Sequence, residues 1–269
     1  MNNKVCTTTE AMAYVHDGDH VAAHIWGVNG TPGYLFRALV ERGVKNLTFY
    51  ANNFLPGPPG LKALGLPDSS GTILLPQIRK LVTAFTGTRA IRGLGEENFL
   101  DEWLSSGQRE LEITSHGVLL GRLHAGAMGL GGFYSPIGID TIIEQGKEKR
   151  VIDGREYILE KPIRPDVGLI RASKADKLGN LVYHGTARGS NPIIAMASKF
   201  SIVEVEEVVD TGELDPDMIV TPGIYIDRIV PIPREDAASP GNRQEIMEKV
   251  FADPGIRELV FGASRGEQE

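Results

Sequence analysis

Residues 20–51 constrain the fold more than any other stretch. HVAAHIW, residues 20–26, is continuously apolar over a short run and reads as a buried strand. YLFRALVERG places apolar residues at 35, 36, 39 and 40, one face of a helix, with Gly43 as its stop, and NLTFYA reads as the next strand. Strand, glycine loop, helix and strand in this order form a βαβ unit and imply a parallel sheet.

The alternation continues along the chain. Strands are expected over 78–87, 109–114, 166–172, 178–185 and 200–209, and helices over 98–107, 116–127 and 192–199. Thr7-Thr8-Thr9-Glu10 offers a capping box for a short helix ending near Gly18. KRVIDGREYILE carries two β-rich runs around Asp153-Gly154, a hairpin signal. The expected fold is α/β: a mostly parallel central sheet flanked by helices, with a peripheral β-hairpin. One domain spans 1–232; residues 233–269, rich in proline, glycine and charge with one helix (RQEIMEKVFADP), form a C-terminal appendage.

Composition removes several function classes. A net charge of -7 and no Lys/Arg run argue against a nucleic-acid partner, since phosphate recognition requires a basic face. No apolar run is long enough for a signal peptide or a membrane span, so no membrane association is expected. The single cysteine, Cys6, rules out an internal disulfide framework and a cysteine zinc cluster, which suits the cytoplasm. His116 and His124, eight residues apart, lie roughly 80° apart around a helix and could share a broad face. No third ligand accompanies them, and no metal is expected.

Two glycine-rich loops stand out. GAMGLGGFYSPIGIDT, residues 126–141, holds five glycines and a proline in sixteen residues, a composition costly in either helix or strand. Without Cβ atoms, Gly129, Gly131 and Gly132 let main chain approach a ligand or a partner's backbone, and their N–H groups can face developing negative charge; Phe133 and Pro136 would exclude water. The competing reading is a tight fit against a partner or the chain's own hairpin. A dinucleotide turn is disfavoured, because a helix precedes this loop where that motif requires a strand. The second loop follows the first strand in AHIWGVNGTP, residues 23–32. Asn52 and Asn53, at a strand end opening into the Pro/Gly loop of 52–68, are placed for ligand contact, because sites in parallel sheets gather at strand C-terminal ends. Ser190-Asn191-Pro192 reads as a helix start capped by Ser190 or Asn191.

The segments GLGGFYSPIGIDTIIEQGKEKRVIDGREYILEKPIRPDVGLIRASKADKLGNL, ARGSNPIIAMASKF and TGELDPDMIVTPGIYIDRIV, in this order, resemble the α (A) subunit of the family I coenzyme A transferases, the 3-oxoacid and glutaconate CoA-transferases. The likeness runs from about Asp19 to about Ile229. It implies a heteromer, heterodimer or α2β2, that moves CoA from an acyl-CoA to a free carboxylate. It also implies that the nucleophile is a glutamate of the β subunit, so that no catalytic residue lies in this chain, and that the CoA thioester is a substrate with no bound cofactor. The alternatives are a thioester hydrolase on the same scaffold and a noncatalytic assembly subunit.

Against the family pattern, Gly30 and Pro32 of the first loop match, Trp26 stands where the family has Phe, and His24-Ile25 replace a Gly-Gly pair. That turn, with Gly27, is associated in the family with stabilising thioester oxygen, a role that suits N–H groups at a helix start. His24 is then a core histidine at a strand end, a polar group shaping the acyl pocket, or an acid/base residue. Ser115-His116 and Arg122-Leu123-His124 resemble the glutaconate type, whereas GGFYSPIGIDT resembles the 3-oxoacid type. Glu96-Glu97-Asn98 resembles the β subunit's glutamate context, but Phe99 replaces its glycine and the acidic pair precedes an expected helix, where it would complement the dipole.

Overall fold

The computed structural model describes residues 3–26, 30–53, 75–86, 103–105 and 107–233. Gly27, the 52–68 loop beyond Asn53, the Glu96-Glu97 candidate, most of the 98–107 helix and the appendage beyond 233 lie outside the described residues.

In chain order the elements are α1 (Thr8–Met12), β1 (His20–Ala23), α2 (Gly33–Arg42), β2 (Leu47–Asn53), β3 (Ile78–Phe85), β4 (Glu110–Ile113), α3 (His116–Ala127), β5 (Phe133–Ser135), β6 (Lys149–Ile152), β7 (Arg155–Glu160), β8 (Val167–Asp176), β9 (Leu181–Val182), α4 (Asn191–Ala197), β10 (Phe200–Val209) and β11 (Arg228–Pro231). The main sheet runs β11-β10-β8-β1-β2-β3-β4 with every neighbouring pair parallel, and β9 adds antiparallel to β8. The outer side of β11 is covered by the N-terminal segment, where Cys6 N–H donates to Ile229 and Ile229 N–H to Lys4.

Both faces of this sheet are covered, so its central strands read as continuous apolar runs, while side chains still alternate between two cores. Val21, Ala23, Phe49 and Leu81 pack with Met12, Leu35, Phe36 and Leu39 of α1 and α2. Ala22, Tyr50, Val82 and Ile170 face the opposite way, onto Leu119 and Leu123 of α3 and Ile193 and Ile194 of α4. Burying each such Leu, Ile or Phe is worth about 1.5–3 kcal/mol. α2 ends where expected, with Gly43 left-handed at φ 69°.

A separate antiparallel sheet, β5-β7-β6, contains the hairpin, and Asp153 and Gly154 both take positive φ, as a two-residue I′ turn requires.

Four expectations on element bounds need correction. The capping box of Thr7 and Glu10 forms, but α1 stops at Met12 because the chain tightens into i→i+3 bonds at Tyr14 and Val15. β1 stops at Ala23, so His24 and Ile25 leave the ladder. The 178–185 strand shrinks to Leu181–Val182, because Asp176 accepts the N–H groups of Leu178 and Asn180 and bends the chain back. The 126–141 loop, expected to be neither helix nor strand, yields β5, which pairs with β7. β11 was not anticipated.

Candidate active site

Chain order reverses between β1 and β8: β2, β3 and β4 lie on one side of β1, and β8, β10 and β11 on the other. In open parallel sheets the crevice for a ligand forms at such a switch point, outside the carboxyl ends of the strands. There the structure gathers His24 and Trp26 after β1, Asn52 and Asn53 at the end of β2, His116 at the start of α3, and Ser190 in the connection after β8.

The His24 ring is 2% exposed, and its Nδ1 lies 2.8 Å from the Ser190 hydroxyl and 3.3 Å from the Ser190 backbone N–H. That hydroxyl reaches Asn52 Oδ1 at 2.9 Å. One strand over, His116 Nε2 lies 2.8 Å from Asn53 Oδ1, and its ring meets Trp26 edge-on at 5.4 Å. Trp26 is 51% exposed, the accessible wall of this cluster. A Cβ on Gly189 would overlap the His24 ring, and the backbone there (φ 38°, ψ −128°) is one that glycine tolerates.

The loop between β1 and α2 is pinned from below. A Cβ on Gly30 would overlap the Ala187 carbonyl, and Asn191 Nδ2 donates to both Gly30 O and Ala187 O at 3.0 Å. Asn191 Oδ1 accepts from Arg171 N–H at 3.1 Å. Pro32, buried, leads into α2 without a side-chain cap. The cap comes instead from Glu204 of β10, whose Oε2 accepts from Leu35 N–H at 2.9 Å, with a further backbone bond from Tyr34. Burial pushes the Glu204 carboxyl up, and the Arg171 guanidinium, 2.7 Å away, pulls against that. These two N–H groups at the start of α2 therefore serve an internal carboxyl group.

Expected capping at α4 is also revised. Ser190 occupies the cap position but makes no side-chain bond to the helix, its hydroxyl reaching His24 and Asn52 instead, and Asn191 is already helical, its side chain bonded to Gly30, Ala187 and Arg171. Their Ser-Asn-Pro spelling is that of an ordinary helix start, which hid this from sequence reasoning. Nor did sequence alone pair His116 with Asn53.

The 126–141 loop is not part of this cluster. Gly129, Gly131, Gly132, Phe133 and Pro136 follow the C-terminal end of α3, whose twelve residues separate them from His116 by about 18 Å. Gly132 (φ 143°) is held by the chain itself, since a Cβ would lie 2.7 Å from Glu160 O, and the Phe133 ring fills the space beside Gly121. Among the described residues Gly129 takes φ 72° with nothing within 4 Å of a Cβ, and Gly131 has neither a positive φ nor a neighbour within that distance. Pro136 is half-buried. His124 Nδ1 bonds to Leu120 O within its own helix. Among the described residues no group of three His, Cys, Asp or Glu is placed to hold a metal ion, and no helix is long and apolar enough to cross a membrane. Cys6 lies half-buried in a cleft with Tyr14 and Arg228, beside the edge strand β11.

A doubly covered parallel sheet with a polar cluster at its switch point defines an α/β protein of the open parallel-sheet class. The chain belongs to the coenzyme A transferase family, which its residues 5–231 match. Over 86% of its length it is 39% identical to a Bacillus subtilis protein named as the probable A subunit of succinyl-CoA:3-ketoacid coenzyme A transferase, covering 90% of that protein. It is 38% identical to the A subunit of the 3-oxoadipate CoA-transferase of Acinetobacter baylyi, over 89% of this chain and 99% of that one. Its fold matches an acyl-CoA transferase of Escherichia coli O157:H7 with a TM-score of 0.71 at 19% identity, over 88% of this chain and 48% of that longer one. Glutaconate coenzyme A-transferase of Acidaminococcus fermentans gives a TM-score of 0.66 at 20% identity, over 94% and 89% of the two chains.

Proposed function

We propose that this chain is the α subunit of a heteromeric CoA-transferase that moves CoA from an acyl-CoA to a free carboxylic acid, working in the cytoplasm with a β subunit, in a heterodimer or α2β2 assembly. Residues 1–232 form the transferase domain, and 233–269 are an appendage to it. The relatives named above point to short acyl groups of the succinyl and 3-oxoacid kind as substrates.

In this reading the carboxylate of a β-subunit glutamate adds to the thioester carbonyl, and CoA thiolate leaves to give an acyl-glutamyl anhydride. The thiolate then attacks the glutamyl carbonyl, releasing the first carboxylate and leaving a glutamyl-CoA thioester. The acceptor acid runs the two steps backwards. No net proton is transferred; what the site must supply is orientation, hydrogen-bond donors for developing negative charge, and exclusion of water.

The observation that carries the proposal is the character of the cluster at the ends of β1 and β2. Among the described residues it consists of two imidazoles, two carboxamides, a hydroxyl and an indole, groups suited to holding an acyl group and a thioester oxygen. His24, Trp26, Asn52 and Asn53 line the acyl side, with Gly30 and Pro32 shaping the loop that leads into α2; Gly27, in the same stretch of sequence, remains a candidate for the thioester oxygen. Gly129 and Gly131, with Pro136, are assigned to a second surface, for the partner, whereas Gly132 and Phe133 are taken up by the chain's own packing against Glu160 and Gly121.

The test is the intact mass of this chain and its co-purified partner after mixing with a panel of acyl-CoAs and reducing with borohydride. A reduced glutamyl thioester on the partner, with this chain unlabelled, supports the division of labour. Label on this chain alone overturns it, and acyl-CoA loss without any carboxylate acceptor would make the complex a hydrolase.

A further inference from the structure

Gly189, Ser190 and Asn191 are consecutive, yet they serve three different segments. Gly189 makes room for the His24 ring at the end of β1. Ser190 joins that ring to Asn52 at the end of β2. Asn191 ties the Gly30 carbonyl to the Ala187 carbonyl and to the backbone of Arg171. The tripeptide therefore fixes the spacing of the two strand ends on which the candidate site stands.

The proton arrangement follows from Ser190, which is 4% exposed. Its hydroxyl has one hydrogen and two acceptor lone pairs. Asn52 Oδ1, 2.9 Å away, can only accept, so it receives the hydroxyl proton. With the hydroxyl proton so placed, the 2.8 Å contact with His24 Nδ1 is a hydrogen bond when that nitrogen carries the proton. The Ser190 backbone N–H also points at Nδ1, at 3.3 Å, and would need that nitrogen to accept; the shorter 2.8 Å contact to the hydroxyl favours the proton on Nδ1 over this longer bond. A chain of donors running from imidazole to hydroxyl to carboxamide polarises each member and resists rotation of the ring.

We propose that Ser190 is a positioning residue for the site, accepting the Nδ1 proton of His24 and donating its own to Asn52, and so holding the imidazole in its Nδ1–H form over Gly189. This rests on the reading of the β1 and β2 ends as the place where the acyl group sits. It adds a residue that works only through His24 and Asn52, and that its position at a helix start disguises as a cap.

Two measurements on the full-length chain with its partner test it. In the first, ¹⁵N-histidine NMR follows the resonance that His24→Gln removes. It should report the Nδ1–H form in the wild type and a mixture of tautomers in Ser190→Ala. An Nε2–H form in the wild type, or an unchanged signal in Ser190→Ala, overturns the proposal.

The second is a double-mutant cycle. Ser190→Ala should lower kcat roughly tenfold with KM changed less than about twofold, Ser190→Thr should recover most of the loss, and Ser190→Ala in a His24→Gln background should cost less than about a further twofold. Equal losses in both backgrounds would mean that Ser190 does not act through His24. If the wild-type complex transfers no CoA at all, the proposed activity fails, while the NMR result still decides the role of Ser190.

Discussion

Gly30 and Gly131 lie in the two loops that the sequence marks as special, yet opposite constraints act on them. At Gly30 (φ 70°) a Cβ would run into the Ala187 carbonyl, so the glycine is required by the fold that carries the site. At Gly131 nothing among the described residues excludes a side chain. A glycine with no internal reason fits a close approach by another molecule, and in a heteromer that molecule is the partner. Gly30→Ala is therefore expected to destabilise the isolated chain by about 1–3 kcal/mol, as a strained backbone and a displaced carbonyl should. Gly131→Val should leave the melting temperature of the isolated chain unchanged while lowering turnover with the partner roughly tenfold, about 1.4 kcal/mol. Thermal melts of the chain alone and turnover of the complex separate the two. A drop in the melting temperature of Gly131→Val would assign that loop to the fold. The same reasoning removes Gly132 from the ligand-facing candidates, because the backbone it approaches is the chain's own Glu160.

At the scale of elements, the parallel strands are aligned at their starts by one carboxylate. Asp166 accepts from His20 N–H at 2.9 Å and from the Lys199 ammonium at 2.7 Å, while its own N–H and carbonyl bond to His20 and Phe200. It thereby ties together the entries of β1, β8 and β10. Burial pushes its carboxyl up, but Lys199 and the His20 N–H outweigh that and hold it below its ordinary value of 3.8. A carboxyl depressed in the folded state stabilises the fold fully above its unfolded value and loses that contribution as pH falls through the folded one. Asp166→Asn should therefore melt below the wild type at neutral pH, with the gap closing as pH falls below 3.8. A gap independent of pH would show that geometry, not charge, is what the side chain supplies. This tie was illegible in the sequence, because Asp166 stands 146 residues from His20 and, as the first residue of the expected 166–172 strand, gives no sign of its partners. What was legible is what local pattern dictates: α2 with its Gly43 stop, α3 from His116 to Ala127, the Asp153-Gly154 turn and the parallel βαβ start. The cluster was legible only in part. Asn52 and Asn53 follow from the rule that sites form at strand ends, and His24 stands out only against the family's Gly-Gly pair, but Ser190 reaches them from 138 residues beyond Asn52, across the switch point.

For the whole molecule, the question is how much chain the sheet needs. Among the described residues β11 is its last strand, followed by Ile232, buried at 4%, whose N–H bonds to Val205 O at 2.8 Å. The family match ends at residue 231, one residue before that bond. Dependence on a terminal segment should be argued from burial and backbone hydrogen bonds, and both are satisfied at 232. A chain of residues 1–233 is therefore expected to fold, to melt within about 5 °C of the full chain, and to elute with the partner. Cutting before Ile232 should cost more, because it removes a buried side chain and leaves the Val205 carbonyl at the end of the β10–β11 ladder without its donor. The two truncations, compared by thermal melt and by size-exclusion chromatography with the partner, decide whether 233–269 is an appendage. If the longer chain loses the partner while keeping its melting temperature, those residues belong to the assembly, and the surface at Gly131 is not sufficient for it.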